Sequence, residues 1–210
     1  MATSADPFNL IICGVGGQGN ILLSGLIGSA LIRKGYHVTV GETFGAAQRG
    51  GAVFSSVRIS QKRCYGPLIP DGQAHLILGL EPLETLRILR KYGKPDTVCI
   101  TNTAPVFPIG VLSTKEEYPN HDQLQEAIRH LSKAAWFIDA TNVALQLGSK
   151  IATNIVMVGA LIGSDQLPLA RNDIEDGMRD IFPPEAMELN SRALQMGFNA
   201  LRSQKDKSIV

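Results

Sequence analysis

The chain has 210 residues, of which 44% are hydrophobic and 19% charged, and its formal net charge at pH 7 is +1. This length and composition are typical of one globular domain with a substantial core. The near-neutral charge, without long runs of like charges, gives no electrostatic reason to expect binding to nucleic acid or to an anionic membrane surface.

Targeting signals and cysteine usage indicate the cellular compartment that we expect for the protein. No apolar stretch approaches the ~20 residues that span a bilayer, and residues 1–7 lack the basic and apolar segments of a secretory signal. The cysteines, Cys13, Cys64 and Cys99, are odd in number and widely spaced, which suits a reducing cytoplasm. We interpret them as buried packing residues. They cannot supply the four thiolate ligands of a [4Fe–4S] cluster, so any such cluster must lie on another polypeptide.

The first predicted elements are a strand, a helix and a second strand. Residues 9–13 form a short apolar run, which predicts a buried strand. Residues 20–34 have an apolar face at helical spacing, with Asn20 as the N-cap and Gly35 as the C-terminal stop. Residues 36–42 form the second strand, which completes a Rossmann-like βαβ unit.

The segment after the second strand predicts an antiparallel neighbour. Residues 43–51 (TFGAAQRGG) lead into an alternating strand over residues 52–60. Nine residues with three glycines are too few for a crossover helix, which usually takes about a dozen or more. The third strand is therefore expected to run antiparallel to the second, or to be separated from it by an irregular loop.

The rest of the chain alternates strands with helices and then becomes helical. Glu81 and Glu84 begin one helix, where they favour its dipole. The predicted strands are residues 74–79, 97–102 and 135–139, and the predicted helices are residues 81–91, 122–133, 141–148, 155–162, 172–181 and 184–201. The fold class is thus α/β, a three-layer α/β/α domain with a mostly parallel, mixed sheet and a helical C-terminal part. One domain is expected over residues 8–202, followed by a mobile polar tail, 203–210.

The GVGGQG turn matches a dinucleotide-binding pattern. Gly14, Gly16 and Gly19 fit G-x-G-x-x-G, and Glu42 ends the second strand, where such a domain places its ribose-binding acid. Against an NAD(P) site, no helix follows the second strand, and Gln18 suggests a side-chain contact within the turn. No hydride-transfer constellation follows either. A third interpretation is that the glycines only permit close packing of helix and strand.

A second glycine segment is predicted beside the first. Gln48, Arg49, Gly50 and Gly51 combine a planar guanidinium with flexible backbone, a chemistry that suits carboxylate or phosphate. Both segments follow strands that run in the same direction, so both are expected on the sheet edge where α/β proteins bind ligands. The alternative is an Arg49 that is solvated on a mobile hairpin.

These segments resemble a known family. GVGGQG after a strand, followed by ETFGAAQRGG before another, resembles the pyruvate/2-oxoacid:ferredoxin oxidoreductase gamma-type subunit family. The QRGG form is most similar to the beta subunit of the indolepyruvate branch. Further similar segments follow in collinear order within residues 8–200: residues 80–87, 102–108, 139–141, 154–160 and 188–190.

The resemblance implies a subunit that is inactive alone. Such complexes convert a 2-oxoacid and coenzyme A to acyl-CoA and CO2, using thiamine diphosphate, Mg2+ and [4Fe–4S] clusters of the larger subunit or subunits, and pass electrons to ferredoxin. It implies that this chain alone binds no cofactor or metal and has no catalytic residue. It also implies a rim that faces coenzyme A and the partner: Gly14, Gly16, Gly17, Gln18, Gly19, Gln48, Arg49, Gly50 and Gly51.

Substrate and role are left open at this point. Indolepyruvate is the first expectation for the 2-oxoacid, with phenylglyoxylate or a branched-chain acid as alternatives. Two other roles compete with the catalytic complex: a stand-alone NAD(P)-binding, dehydrogenase-like protein that uses Glu42, and a structural scaffold whose loops only dock the larger subunit.

Overall fold

A mixed sheet of six strands forms the centre of the computed structural model, which describes residues 5–43, 51–107 and 118–207. The strand order is β2-β3-β1-β4-β5-β6. The strands are β1 (Phe8–Val15), β2 (His37–Glu42), β3 (Ala52–Ser60), β4 (Leu76–Gly79), β5 (Val98–Asn102) and β6 (Ala134–Ile138). β1, β4, β5 and β6 are parallel, which confirms the predicted, mostly parallel sheet.

β3 lies between the two strands of the predicted βαβ unit. It pairs antiparallel with β2, and on its other side it pairs antiparallel with β1, from Phe8↔Ile59 to Val15↔Ala52. This pairing confirms the antiparallel prediction, which was based on too few residues between the two strands for a crossover helix. β1 and β2 therefore run in the same direction without pairing with each other, unlike the strands of an ordinary βαβ unit.

Helices cover both faces of the sheet, as the three-layer prediction requires. They are α1 (Asn20–Arg33), α2 (Pro82–Tyr92), α3 (His121–Leu131), α4 (Ala140–Gln146), α5 (Thr153–Gly163), α6 (Arg171–Ile181) and α7 (Pro184–Lys207), with a 3-10 turn at Lys150–Ala152. Alternation along β1 separates two cores. Leu10 and Ile12 pack with α1, α5, α6 and α7, whereas Ile11 packs with α2 and α3.

Three local expectations differ from the structure. Helix α7 continues to Lys207, so residues 203–207 of the expected tail are helical. The side chain of Gln204 bonds to the backbone of Phe137, and these bonds hold the last turns of α7 against β6. Gly19, rather than Asn20, is the N-cap residue of α1. Cys64 is exposed, although Cys13 and Cys99 are buried as expected.

Among the described segments, no helix has both the length and the apolar character needed to cross a membrane.

Candidate functional site

One edge of the sheet gathers the segments that carry polar chemistry. β1, β4, β5 and β6 all end at this edge because they are parallel, and β2 ends there because it runs in the direction of β1. We call this edge the rim. It comprises the turn of residues 16–19, the start of β3 and the residues that follow β4, β5 and β6. Open α/β sheets bind ligands at such an edge.

The glycine turn contacts the end of the second glycine segment. The Gly16 N–H donates a 2.8 Å hydrogen bond to the carbonyl oxygen of Gly51. The structure therefore brings Gly51 to the rim beside the turn. Gln48, Arg49 and Gly50 lie outside the described residues, and their role remains a prediction.

The side chain of Gln18 is engaged within the chain. Its Oε1 accepts from the Val15 N–H at 2.6 Å, and its Nε2 donates to the Leu80 carbonyl at 3.1 Å. A Cβ added at Gly14 would collide with Gln18 and Leu80, so Gly14 is required by this internal packing. Gln18 therefore fixes the turn to the end of β4, and Gly14 makes room for that contact.

The turn needs glycine at two of its positions. Gly17 and Gly19 have φ of 97° and 87°, in the left-handed region that L side chains rarely adopt. A Cβ at Gly19 would also overlap the side-chain amide of Asn154, which lies in the first turn of α5. The backbone of the turn therefore packs closely against α5.

The turn separates two cavities. The first, which we call the acidic cavity, has a volume of about 320 Å³ and is lined by Gly16, Gly17, Ile21, Glu42, Phe54 and Ser55, among others. The second, which we call the lysine cavity, has a volume of about 410 Å³ and is lined by Gly16, Gly17, Gln18, Thr141, Lys150 and Asn154, among others. Gly16 and Gly17 border both cavities.

Glu42 does not sit as a ribose-binding acid would. Its Oε1 lies 2.6 Å from the Ser24 hydroxyl, and its Oε2 accepts from Ser55. In a dinucleotide-binding domain the strand that carries this acid lies next to the first strand, whereas here β3 lies between them. The arrangement therefore disfavours the NAD(P) interpretation.

Asn102 is a rim residue that sequence reasoning treated only as a landmark. It is 1% exposed. Its Nδ2 donates to the Leu80 carbonyl at 3.2 Å and to Thr141 Oγ1 at 3.1 Å, and its Oδ1 accepts from the Ala140 N–H at 3.1 Å. One side chain thus joins the segments after β4, β5 and β6. Its position at the end of a buried strand was the available signal.

Glu81 is more than a residue that complements a helix dipole. It is the N-cap of α2 and accepts from the Glu84 N–H at 2.8 Å, and its other carboxylate oxygen accepts from the Tyr118 hydroxyl. The carboxyl group is fully buried, and this desolvation raises its pKa. Both interactions are internal, so the structural role that we expected for Glu81 fits its surroundings.

The thiols do not fit an iron–sulfur cluster. Burial raises the pKa of Cys99 to about 12 and raises that of Cys13 well above its usual value, so both are protonated thiols at neutral pH. Cys64 lies apart, on the surface. Within the described ranges, no group of three or more His, Cys, Asp or Glu side chains could hold a metal ion.

Comparisons with known proteins identify relatives along almost the whole chain. The family model described as pyruvate ferredoxin/flavodoxin oxidoreductase matches residues 9–200. Indolepyruvate oxidoreductase subunit IorB of Archaeoglobus fulgidus is 36% identical, over 96% of this chain and 98% of the relative. IorB of Methanothermobacter thermautotrophicus is also 36% identical, over 92% and 97%. The common gamma subunit of the pyruvate/ketoisovalerate oxidoreductases of Pyrococcus abyssi is 27% identical, over 88% and 92%.

A solved structure shares the fold. The gamma subunit of a keto/oxoacid ferredoxin oxidoreductase from Geobacter sulfurreducens superposes with a TM-score of 0.66 at 24% identity, covering 93% of this chain and 99% of that one.

Proposed function

The chain belongs to the pyruvate ferredoxin/flavodoxin oxidoreductase family, and we propose that it is the small subunit of an indolepyruvate-type 2-oxoacid:ferredoxin oxidoreductase. The observation that carries this proposal is the end-to-end similarity to IorB subunits. Identity to them reaches 36%, against 27% for the Pyrococcus abyssi pyruvate/ketoisovalerate gamma subunit. The indolepyruvate branch is therefore favoured over the pyruvate and branched-chain branches.

The proposed reaction is shared between subunits. A larger subunit holds thiamine diphosphate, Mg2+ and [4Fe–4S] clusters, decarboxylates the 2-oxoacid and passes electrons to ferredoxin, while the acyl group leaves on coenzyme A. The free cysteines of this chain do not fit a cluster, in keeping with that division. The small subunit contributes a ligand-facing surface without a catalytic residue of its own.

The rim is the proposed coenzyme A surface. The turn supplies closely approaching backbone at Gly16, Gly17 and Gly19, and the hydrogen bond from Gly16 joins it to Gly51. The Gly16 and Gln18 amides are bonded within the chain, so among the described residues of the turn the Gly17 and Gly19 amides are the donors left for a diphosphate. Arg49 adds a guanidinium to this surface in the proposal, with Gln48 and Gly50 as its neighbours, because a bidentate cation strengthens phosphate binding.

Reconstitution tests this function. Three preparations are compared: the chain alone, the larger subunit alone, and the two subunits expressed together. Ferredoxin reduction that depends on coenzyme A is measured with indolepyruvate, pyruvate, phenylglyoxylate and a branched-chain 2-oxoacid. We expect activity only from the assembled complex, with the highest kcat/KM for indolepyruvate.

Two results would overturn the proposal. The first is 2-oxoacid oxidation by the isolated small chain. The second is full coenzyme A-dependent activity of the larger subunit without it, which would leave this chain a scaffold at most.

A further inference from the structure

We propose that strand β2 is the contact between two copies of this chain, which pair antiparallel along it about a two-fold axis at Val40. β2 is the last strand at one edge of the sheet, and among the described residues its only strand partner is β3. An open edge strand presents backbone N–H and C=O groups that another strand can bind. This contact is independent of the function proposed above, because it needs only the chain itself.

The register with β3 determines which backbone groups of β2 point outward. Bonded and unbonded residue pairs alternate along two antiparallel strands. Directly after β2, the Thr43 N–H donates to the Phe54 carbonyl at 3.1 Å, so every second residue before Thr43 also bonds to β3. The residues between them direct their backbone groups away from β3, and these groups have no backbone partner among the described residues: Val38, Val40 and Glu42.

The opposite edge of the sheet is closed. The side-chain amide of Gln204 donates to the Phe137 carbonyl at 2.6 Å and accepts from the Phe137 N–H at 3.3 Å, as a neighbouring strand would. Helix α7 thus covers the edge at β6. In the described part of the chain, β2 has no comparable cover, and its sequence, HVTVGE, contains no Lys or Pro that would discourage pairing.

A second copy of β2 matches the outward groups of the first. A contact about a two-fold axis uses the same residues on both sides. With the axis at Val40, this residue lies opposite Val40 of the second copy, and Val38 lies opposite Glu42. Every outward residue then faces another outward residue, in three bonded pairs that each exchange two hydrogen bonds. This symmetry of the outward positions favours a second copy over a strand of another protein.

Neighbouring registers fit less well. An axis at Thr39 would place Glu42 opposite Tyr36, whose N–H is already bonded within its own copy. An axis at Gly41 would place Val38 beyond the end of the second strand. The register proposed above is the one that pairs every outward residue within β2.

Helix α1 carries an apolar stripe beside this edge. With about 3.6 residues per turn, one side of the helix carries four exposed residues, which we call the α1 stripe: Ile21, Gly25, Ser29 and Ile32. Ile21 and Ile32 are 55% and 57% exposed, and Val40 of β2 is 38% exposed. A Cβ added at Gly28, next to the stripe, would contact Val38 and Val40, so the stripe adjoins β2.

The proposed axis brings the two α1 stripes together. It runs perpendicular to the sheet, so α1 of each copy lies on the same face of the continued sheet, on either side of the axis. Gly25 and Ser29 are small and allow two helices to approach closely. α1 has no charged residue before Arg33, which is unusual for a helix whose outer side remains in water. Pairing of the two copies buries that side.

The charges near the edge do not oppose the pairing. Glu42 is the only acidic residue of β2, and its carboxylate is bonded to Ser24 and Ser55 of its own copy. In the proposed register the two Glu42 α-carbons are four residues apart along the strands, or roughly 14 Å. At the end of α1, Arg33 and Lys34 are paired with aspartates of α6.

Cysteine cross-linking of the full chain tests the register. In a Cys64→Ser background, which removes the exposed native thiol, Val40→Cys is compared with Val38→Cys. Across the axis the α-carbons of Val40 lie about 5.5 Å apart, within reach of a disulfide, whereas those of Val38 lie roughly 14 Å apart. We expect mild oxidation to link most Val40→Cys chains into dimers and almost none of the Val38→Cys chains.

Sedimentation at several chain concentrations tests the edge itself. Val40→Pro removes an outward N–H without removing a bond to β3, whereas Val40→Thr keeps the N–H and the branched side chain. We expect wild type and Val40→Thr to form dimers at micromolar concentration, and Val40→Pro to raise the Kd of the dimer about tenfold or more. Circular dichroism verifies that Val40→Pro is folded; if it is not, the cross-links decide.

A substitution in the α1 stripe tests the helix contact. Ile32→Glu should also raise the Kd of the dimer, because it places a charge between two apolar surfaces. The matched control is Leu131→Glu, at a residue that is 44% exposed at the end of α3, on the other face of the sheet. We expect this control to dimerise as wild type does.

Two results would overturn the proposal. The first is a wild-type chain that stays monomeric at about 100 µM, or a dimer that Val40→Pro leaves unchanged and that Val40→Cys does not link. The second comes from co-expression with the larger subunit, where the same cross-link is expected. If β2 amides are instead protected from hydrogen exchange only when that subunit binds, and no cross-link forms, the edge belongs to the larger subunit. Neither result affects the reconstitution test of the proposed function.

Discussion

The amide of Gly16 and the carbonyl oxygen of Gly51 are joined by a 2.8 Å hydrogen bond. This bond links the turn after β1 to the start of β3, its antiparallel neighbour. The glycine turn and Gly51, the last residue of the second glycine segment, are separated by a helix and a strand in the sequence and thus meet at one rim. The acidic and lysine cavities lie on either side of the glycine turn, and Gly16 and Gly17 line both of them.

Gly19→Ala should destabilise the protein more than a glycine substitution at an equally left-handed position elsewhere. Gly19 and Gly35 have φ of 87° and 84°, but only at Gly19 would the new Cβ overlap a side chain, that of Asn154. We expect Gly35→Ala to lower the free energy of unfolding by about 1–2 kcal/mol. Gly19→Ala should cost about 1–3 kcal/mol more through overpacking. Urea unfolding measures both; equal losses would show that Asn154 moves aside freely.

Tyr118→Phe should make the stability of the protein more sensitive to rising pH. Burial raises the pKa of Glu81, and the Tyr118 hydroxyl counteracts this by donating to the carboxylate. The folded-state pKa lies above the unfolded one, so stability falls as pH rises from the unfolded to the folded pKa. Removing the Tyr118 hydroxyl raises the folded-state pKa of Glu81 further and widens the pH range over which stability falls.

We therefore expect Tyr118→Phe to lower the free energy of unfolding by about 1–3 kcal/mol at pH 8 and by less at pH 4. Tyr65→Phe, whose ring lies against Arg58 and Arg63, is the matched control. Urea unfolding at the two pH values gives the comparison, and an identical loss at both would show that the Tyr118 hydroxyl does not preferentially stabilise the ionised Glu81 carboxylate.

His75 should weaken the fold in mild acid. Its Nδ1 accepts from the Asn9 N–H at 2.9 Å, and burial, followed by the charge of Lys94, lowers its pKa to about 4. The unfolded chain takes up the proton first, so stability is complete above about pH 6.5 and is lost as pH falls towards 4. His75→Asn keeps an acceptor that does not titrate.

Between pH 7 and pH 4, wild type should lose about 1–2 kcal/mol more of its unfolding free energy than His75→Asn. This difference in free energy is smaller than the full pKa shift of His75 implies, because the imidazole ring is partly exposed to solvent. Chemical unfolding at pH 7, 5.5 and 4 measures the difference. Superimposable pH curves of the two proteins would show that His75 is not the group responsible.

Local signals were sufficient for much of the fold. The strand before GVGGQG, the helix after it and the stop at Gly35 follow from apolar periodicity and from glycine chemistry. The short segment over residues 43–51 correctly predicted an antiparallel β3, because too few residues were available for a crossover helix. The insertion of β3 between β1 and β2 was not predictable in this way, because pairing partners depend on the whole sheet.

The polar network of the rim was less accessible from sequence. Asn102 is hydrogen-bonded to Leu80 and Thr141, and Glu42 is hydrogen-bonded to Ser24 and Ser55. In each case the partners are distant in the sequence. Buried polar side chains have no periodicity that marks their partners. The end of α7 was missed for the same reason, because the contact of Gln204 with Phe137 holds a segment that looks like a polar tail.

We propose that a rim of this chain completes a coenzyme A site whose reactive groups lie on another polypeptide, and this proposal can be tested directly. Its most direct test is the KM for coenzyme A of the assembled complex with Arg49→Ala, beside Arg49→Lys and Arg179→Ala, an exposed arginine on α6. We predict about a tenfold rise for Arg49→Ala with the KM for the 2-oxoacid unchanged, a smaller rise for Arg49→Lys and none for Arg179→Ala. An unchanged KM for coenzyme A, with only complex assembly impaired, would contradict the claim and leave the chain a docking scaffold.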